Sequence, residues 1–347
     1  MRDPGPKINP IKNFAPSWFA AVMGTGILAL TSCFYSGYLP FLSHLGRALF
    51  WFNVALFGVL LIPWVLRWIL YPREALRDLN HPVIANFYPT LPVGMLVLSA
   101  DFMTLAKAHT VGIWFWAIGT AITIIFAFLI PYIVFTGEHV TLDHINPAWF
   151  IPPVGLIVIP VSGSELIGRF PGVANDWVVF ANYFGWGAGF FLYLALLSVC
   201  MYRFILHRPL PNILAPTVWI NLGPIGAGTV ALLKLVTHCC FIAQQEPFFV
   251  FGFLFWGFGI WWVVMAILIT LHYIRRLRLP YAMSWWAFTF PLGAYVAATH
   301  MVAQRFSLPL VDHIGFGLYL LLFALWAVTF LNTLRHALRG DLFASGD

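Results

Sequence analysis

Ser284-Trp-Trp-Ala-Phe-Thr-Phe-Pro-Leu-Gly293 opens an apolar stretch and carries a Pro-x-Gly sequence directly after two phenylalanines. The Pro-x-Gly sequence recurs along the chain, with a looser Val22-Met-Gly24 near its start: Pro92-Val-Gly94, Pro153-Val-Gly155, Pro224-Ile-Gly226 and Pro291-Leu-Gly293. Successive glycines are 70, 61, 71 and 67 residues apart. A nearly constant period indicates an internal repeat, and each repeat is long enough for two membrane-spanning helices. The Pro and Gly residues predict helix breaks at these positions.

Composition excludes a soluble protein. Of the 347 residues, 61% are hydrophobic and 9% are charged, and the mean hydropathy is +0.87. Soluble domains carry about 25% charged residues. The apolar segments are long and continuous, which favours membrane-spanning helices over a barrel. The formal net charge of +6 is spread over short loops, where it indicates membrane orientation instead of nucleic-acid binding.

Ten apolar segments have the length that a helix needs to cross a bilayer. We place them at 16–36, 45–70, 86–106, 112–136, 148–167, 175–205, 213–241, 245–274, 284–304 and 311–334. They form one transmembrane domain over 16–336, flanked by a segment at 1–15 and a tail at 337–347. An even number of spans puts both termini on the same side.

Lysine and arginine counts predict the orientation. The side of the termini carries thirteen of them: Arg2, Lys7, Lys12, Arg67, Arg73, Arg77, Arg203, Arg208, Arg275, Arg276, Arg278, Arg335 and Arg339. The other side carries four, Arg47, Lys107, Arg169 and Arg305, and Lys234 falls inside a span. Positive residues accumulate on the cytoplasmic side, so a plasma (inner) membrane protein with both termini cytoplasmic is predicted.

The glycine-marked segments are all odd-numbered spans and therefore run in the same direction. The simplest arrangement is five helical hairpins, with the odd helices lining a central pore and the even helices forming an outer ring. Broken backbone is tolerated at membrane depth where it lines a cavity. The alternative is that Pro and Gly are merely common in membrane helices.

Aligning the odd spans on their glycines suggests a plug. The residue three positions before each glycine is Ala21, Leu91, Pro152, Gly223 and Phe290, in chain order. If these positions face the axis, the ring of Phe290 fills a narrow tube, and a hydrophobic constriction can close an ion path. Phe288 is a second aromatic candidate for the pore wall. The alternative is that Phe290 is a packing residue in a chain with 34 phenylalanines.

The segments 284–291, 146–155 and 81–94 resemble the tellurite-resistance/dicarboxylate transporter family. That family includes bacterial tellurite-resistance proteins, fungal malate and sulfite transporters and plant slow anion channels. The resemblance extends from about Pro16 to Arg335. It implies ten helices around a pore of five inner helices, a homotrimer, and an occluding phenylalanine that falls on Phe290. The short ends fit the prokaryotic and carrier-like members better than the kinase-controlled channels.

Ionisable residues inside a membrane are functional candidates. Lys234 lies eight residues past its glycine and Glu165 ten past its own, so the two side chains can lie at similar depth. Lys234 either attracts anions in the outer half of the pore or forms a structural ion pair with Glu165. A third option is that Lys234 extends to the membrane surface.

Two further basic residues lie past the last glycine. His300, seven residues past it as Asp101 is past Gly94, is a candidate for proton coupling because histidine titrates near neutral pH. The alternative is a hydrogen-bonded histidine between helices. Arg305, twelve past the glycine, either binds a substrate carboxylate or flanks the span.

Polar residues at the starts of odd spans are candidate substrate contacts beside helix dipoles. These are Asn86, Asn221, Thr289 and Ser17. Helix capping is the alternative for Ser17.

No enzyme motif of the P-loop, His-Glu-x-x-His or Gly-x-Ser-x-Gly type occurs, so an enzyme is not predicted. The cysteines Cys33, Cys200, Cys239 and Cys240 have no Cys-x-x-Cys spacing, and neither a metal site nor a cofactor is predicted. A haem-binding oxidoreductase is the alternative from another class, because eleven histidines are present. His238, His272 and His300 do not share a depth, which argues against it.

The resemblance implies transport of a small organic anion across a lipid bilayer. A C4-dicarboxylate such as malate, coupled to protons, is the leading prediction. The alternative is a channel or efflux protein for sulfite, nitrate or chloride.

Overall fold

The computed structural model describes residues 9–137, 140–239 and 241–343. The described chain is all helical and contains no strand. Arg2 and Lys7 in the first predicted terminal segment, residues 344–347 in the second, and Cys240 lie outside the described residues.

Eleven α-helices make up the described chain. They are α1 (Ala20–Phe34), α2 (Leu42–Leu70), α3 (Pro72–Leu79), α4 (Thr90–Thr104), α5 (His109–Thr136), α6 (Ile151–Gly163), α7 (Val173–Leu206), α8 (Leu222–His238), α9 (Glu246–His272), α10 (Phe290–Phe306) and α11 (Pro309–Arg339). Eight helical segments of the described chain are long and apolar enough to cross a membrane. The number is nine if α3 and Ile84–Thr104, which meet at 102°, are one bent span.

A short 3₁₀ helix precedes each helix that carries the glycine repeat. These segments are Pro16–Phe19, Ile84–Phe87, Pro147–Phe150, Asn212–Asn221 and Met283–Phe288. The repeat prolines, Pro92, Pro153, Pro224 and Pro291, lie within the first three residues of the α-helices that follow. Proline is accommodated there because the first N–H groups of a helix have no intrahelical acceptor. The irregularity at each motif is thus a change from 3₁₀ to α geometry just ahead of the proline.

The five repeat helices pack into a closed ring. α1 contacts α4 and α10, α6 contacts α4 and α8, and α8 contacts α10. Each ring helix is followed by a longer helix that packs against it: α2, α5, α7, α9 and α11. In an 18-residue apolar stretch of each of these longer helices, only 22% to 33% of the residues are buried. The share is 78% to 89% in the segments that contain α1, α6 and α8. The longer helices therefore carry the exposed apolar surface and the ring helices form the core.

Candidate functional site

The ring helices enclose a central cavity of about 400 Å³ to which all five contribute. Its wall is mostly aliphatic. The polar members are Asp101, Thr104, Glu165, Lys234, His300 and Gln304. All six come from the C-terminal halves of their helices or the turn that follows, so the ring helices are parallel and the polar groups gather at one end of the cavity.

Phe290 is in the wall at the opposite end. It is the first residue of α10, its exposed fraction is 5%, and it lines both the central cavity and a smaller cavity of about 40 Å³. The smaller cavity is formed by the N-terminal ends of the ring helices. The Phe290 ring thus stands between two spaces that lie along the same ring of helices.

The glycine alignment predicts the facing residues only in part. Gly223 shares the wall of the smaller cavity with Phe290, as expected. In the other helices the wall is formed one residue earlier, by Ala20, Thr90 and Ile151. Ala21, Leu91 and Pro152 are thus not in this wall, and the facing position in α1, α4 and α6 differs by one residue from that in α8 and α10.

Lys234 and Glu165 form an ion pair in the wall of the central cavity. The Lys234 Nζ lies 2.7 Å from Glu165 Oε1 and donates a second hydrogen bond of 2.9 Å to the Val161 carbonyl. Both side chains are about one-quarter exposed or less. An ammonium has three donors, so one has no protein partner among the described residues.

His300 also lines the central cavity, and it too has a partner. Its Nδ1 lies 2.8 Å from Asp312 Oδ1 on α11, and its ring stacks on Phe34. The hydroxyl of Tyr38 donates to the other oxygen of Asp312, at 3.0 Å. This network connects the polar end of the cavity to the region between α10 and α11.

Arg305 lies outside the described wall of the central cavity. Its guanidinium pairs with the Glu246 carboxylate at the start of α9 and lies 4.1 Å from the centre of the Phe249 ring. The side chain is 40% exposed. These contacts join α10 to α9 at the surface.

Phe288 and Thr289 are buried beside Phe290 but make packing contacts. The Phe288 ring meets the rings of Trp219 and Trp285 edge to face. The Thr289 hydroxyl donates to the Trp286 carbonyl at 2.8 Å, and a side chain at Gly24 would collide with Thr289. Neither residue is in the wall of the two cavities at Phe290.

The two predicted amides lie apart from the central cavity. Asn86 donates to the Pro82 carbonyl at 2.8 Å and lines a separate apolar pocket between α5, α6 and α7. Asn221 is fully buried at the end of the 3₁₀ helix before α8, near the hydroxyl of Tyr193. Ser17, by contrast, lines a polar cleft at the N-terminal ends of the ring helices.

Asp101 is a cavity-wall residue that the sequence analysis did not name as a candidate site residue. Its side chain is fully buried in the wall of the central cavity, and neither carboxyl oxygen has a hydrogen-bond partner among the described residues. The signal was present, since an aspartate inside Leu98-Ser-Ala-Asp-Phe-Met103 is an ionisable group within an apolar helix. Thr104 and Gln304 were not distinguished from ordinary polar residues near helix ends.

Within 9–137, 140–239 and 241–343, no three His, Cys, Asp or Glu side chains come together as metal ligands. Cys33, Cys200 and Cys239 are free thiols.

Several helices apolar enough to cross a bilayer, arranged around an internal cavity, define a multi-pass membrane protein of the transporter and channel type. The chain belongs to the voltage-dependent anion channel family, whose profile matches residues 13–334. The predicted family resemblance is confirmed.

The chain is similar to several transporters along nearly its whole length. It is 56% identical to an uncharacterized transporter of Methanocaldococcus jannaschii, covering 97% of both chains. It is 26% identical to a sulfite efflux pump of Trichophyton rubrum, over 96% of this chain and 93% of that protein. It is 23% identical to a malic acid transport protein of Schizosaccharomyces pombe, over 97% of this chain and 81% of that protein.

Proposed function

We propose that this protein is a proton-coupled carrier of small organic dianions, with a C4-dicarboxylate such as malate as its substrate. The substrate occupies the central cavity, and displacement of Phe290 opens the path toward the smaller cavity. The observation that carries the proposal is a cavity of about 400 Å³ with one ammonium, that of Lys234, in its wall.

The size and lining of the cavity favour an organic anion. Pockets for small molecules have volumes of about 300–1,000 Å³, and a single halide needs far less. The aliphatic wall suits the carbon skeleton of a dicarboxylate. The free donor of Lys234, with Gln304 and Thr104 at the same end, supplies polar contacts for its carboxylates.

We further propose ten spans in five hairpins, with 283–306 as the ninth and the bent region 84–104 as the third. The ring helices line the pore and the longer helices face lipid, as their exposed apolar residues suggest. The excess of basic residues near the chain ends places both termini in the cytoplasm of a plasma (inner) membrane protein. A homotrimer follows from the family resemblance alone.

The test is uptake of labelled malate into proteoliposomes with the membrane potential clamped to zero. An inward proton gradient of one pH unit supports about tenfold accumulation for each coupled proton. Gradient-driven accumulation is expected. Its absence, together with anion currents that follow only the electrochemical potential, would overturn the carrier mechanism.

A channel or efflux protein for sulfite, nitrate or chloride is the second candidate. Two observations favour it: the constriction at Phe290 is apolar and narrow, and a sulfite efflux pump is among the relatives. Competition separates the two candidates, because a dicarboxylate site is blocked by excess succinate and a small-anion path is blocked by excess sulfite or nitrate. Blockade by the inorganic anions alone would favour the second candidate.

A further inference from the structure

We propose that Asp101, facing the amide of Asn53, is the site that holds the coupled proton. The inference rests on the proposed proton coupling and assigns its residue. Asp101 on α4 and Asn53 on α2 are both fully buried, with exposed fractions of 0%. Among the described residues, neither side chain has a hydrogen-bond partner.

The backbone at Gly26 brings these two groups together. A Cβ atom added there would lie 2.9 Å from Asp101 Oδ2 and 2.9 Å from Asn53 Nδ2. Because glycine has no side chain, the carboxyl and the amide both approach the backbone of α1 at Gly26, beside Val97 Cγ1, which would lie 2.5 Å from the added atom. Asp101 also belongs to the wall of the central cavity. Its carboxyl is shielded in this state and meets cavity water only when the wall opens.

The surroundings select the protonated form of Asp101. An ionised carboxylate buried without a cation is strongly unfavourable, whereas a neutral acid is tolerated. The amide of Asn53 suits both forms. Its oxygen can accept a hydrogen bond from the acid, and its nitrogen can donate to the carboxylate when the proton leaves. The Asn53 amide can therefore serve as a partner to either form of the carboxyl.

The other ionisable residues of the cavity are already paired. Glu165 is bound to Lys234, and His300 is bound to Asp312. Protonating either residue would break or remodel an existing contact, whereas Asp101 has none to lose.

The helices packed against α4 bring few other charges near Asp101. The titratable groups that they carry at this end of the ring are Cys33 on α1, His44 and Arg47 at the start of α2, His109 at the start of α5, and Glu165 after α6. Arg47 and His109 are exposed or near the surface, and His109 contacts Arg169. No cation on these helices pairs with Asp101 in the described structure.

The proposed step is a single proton transfer. One proton moves from cavity water to a carboxyl oxygen of Asp101, and the wall loses one negative charge. An anion then meets Lys234 without repulsion from Asp101. When the cavity opens on the opposite side, anion and proton leave together. No covalent bond other than O–H is made or broken.

The transport test compares Asp101→Asn with wild type and with Ser99→Ala in proteoliposomes. Ser99 is a matched control because it is a buried polar residue of α4 whose hydroxyl donates to the Gly112 carbonyl. Asp101→Asn should equilibrate malate but lose the gradient-driven accumulation, and its uptake should no longer vary with pH. Accumulation equal to wild type in Asp101→Asn would overturn the assignment. Accumulation driven by a sodium gradient and abolished by Asp101→Asn would overturn it too, in favour of a sodium ion.

Folding and infrared spectra give readouts that do not depend on transport. Asparagine has the shape and the neutrality of the protonated acid, so Asp101→Asn should fold with the yield of wild type; a variant that does not fold overturns the neutral-acid form. Wild type should show a carboxylic acid C=O band that Asp101→Asn lacks and Ser99→Ala retains. If wild type accumulates no malate under a proton gradient, the proposed function fails, and the band decides separately whether Asp101 is a buried acid.

Discussion

The ammonium of Lys234 lies 2.7 Å from the carboxylate of Glu165 and links α8 to the turn after α6 in the wall of the central cavity. The pair holds a positive charge at a fixed point within a mostly aliphatic space. Glu165 offsets part of that charge, and a weaker positive charge allows a bound anion to be released. The Lys234–Glu165 pair thus combines a structural contact with the proposed binding role, and substitution can separate the two.

We expect Lys234→Met to lower malate uptake at least tenfold while folded yield falls much less. The charge that meets the anion is lost, and Glu165 remains partly hydrated. The loss of folding stability should be smaller than that for breaking a fully buried ion pair, which is about 3–5 kcal/mol. Uptake is measured in proteoliposomes at equal amounts of folded protein.

The double variant Lys234→Met with Glu165→Gln is the control for this prediction. It removes the uncompensated carboxylate and should restore thermal stability without restoring uptake. Recovery of uptake in the double variant would show that the pair serves folding alone. Glu165→Gln by itself leaves the ammonium and should retain uptake.

Phe290→Ala should raise anion flux, because its ring separates the central cavity from the smaller one. Removing the ring joins the two spaces and lets water and anions pass. The measurement is anion current in a planar bilayer at fixed protein density. Phe288→Ala is the matched control, since Phe288 is buried against Trp219 and Trp285 and lies outside both cavity walls.

Phe288→Ala should cost about 3–5 kcal/mol of stability, as is typical of a buried phenylalanine, and leave the current per folded protein unchanged. Equal currents in wild type and Phe290→Ala would remove the ring from the conduction path. Larger currents in both variants would mean that loosened packing, and not the plug, increases the flux.

The sequence predicts the fold best where the same close approach between helices recurs at a glycine. A side chain at Gly293 would collide with Ile27, and one at Gly226 would meet the backbone of α10. Gly24 also stands at such a contact, whereas a Cβ at Gly94 or Gly155 would lie 3.3 Å or 3.1 Å from the nearest side-chain atom. Close packing at these positions gives the enclosed helices a visible period.

The sequence does not predict which residue of each ring helix faces the cavity. Counting back three residues from the glycine stays within the α-helix in all five repeats. The residue in the cavity wall nevertheless differs by one position between α1, α4 and α6 on one hand and α8 and α10 on the other. That difference depends on how each helix packs against its neighbours, which one common count cannot give.

The sequence predicts the site best where two residues need only lie at the same depth in the membrane to meet. The distances of Lys234 and Glu165 from their repeat glycines indicate a similar depth, and the ion pair was one of three arrangements left open by the sequence. The partners of His300 and Arg305 were not readable. Asp312 and Glu246 stand at the starts of other helices, and only the folded connections bring them to their basic residues.

Arg305→Gln should change malate uptake less than twofold. Arg305 is 40% exposed, and it pairs with Glu246 outside the described cavity wall. Exposed ion pairs contribute about 0–1 kcal/mol, so thermal stability should also change little. Uptake at several malate concentrations checks the prediction. A large rise in KM at unchanged stability would instead place Arg305 on the substrate path.

Acid should weaken one loop contact in a defined pH range. Hydrogen bonds from His207 and then Arg208 lower the pKa of Asp143 from its usual 3.8 to about 2. A carboxylate whose pKa is lowered by folding stabilises the folded state at pH values above its pKa in the unfolded chain. That contribution is lost as the pH falls from about 3.8 to about 2. Thermal unfolding of Asp143→Asn should therefore depend less on pH in this range than wild type does. Identical slopes would contradict a role for this contact in stability.

Gly226→Ala should destabilise the protein and disturb the ring, because the glycine marks the closest approach of α8 to α10. A Cβ atom there would lie 2.5 Å from the carbonyl carbon of Ala294 and 2.7 Å from its oxygen. These are backbone atoms, so α8 must move away as a whole. Overpacking of this kind costs about 1–3 kcal/mol, and the shift widens the cavity wall beside Phe290. Both the thermal midpoint in detergent and the malate uptake should fall.

Gly257→Ala on α9 provides the comparison, because an added Cβ there meets nothing within 4 Å in the described structure. In a helix interior, alanine is favoured over glycine by about 0.5–1 kcal/mol, so this variant should be at least as stable as wild type and should transport normally. If the two variants had equal thermal midpoints, close packing would not explain the glycine of the repeat. Loss of uptake in Gly226→Ala with an unchanged midpoint would assign that glycine to motion of α8 during transport.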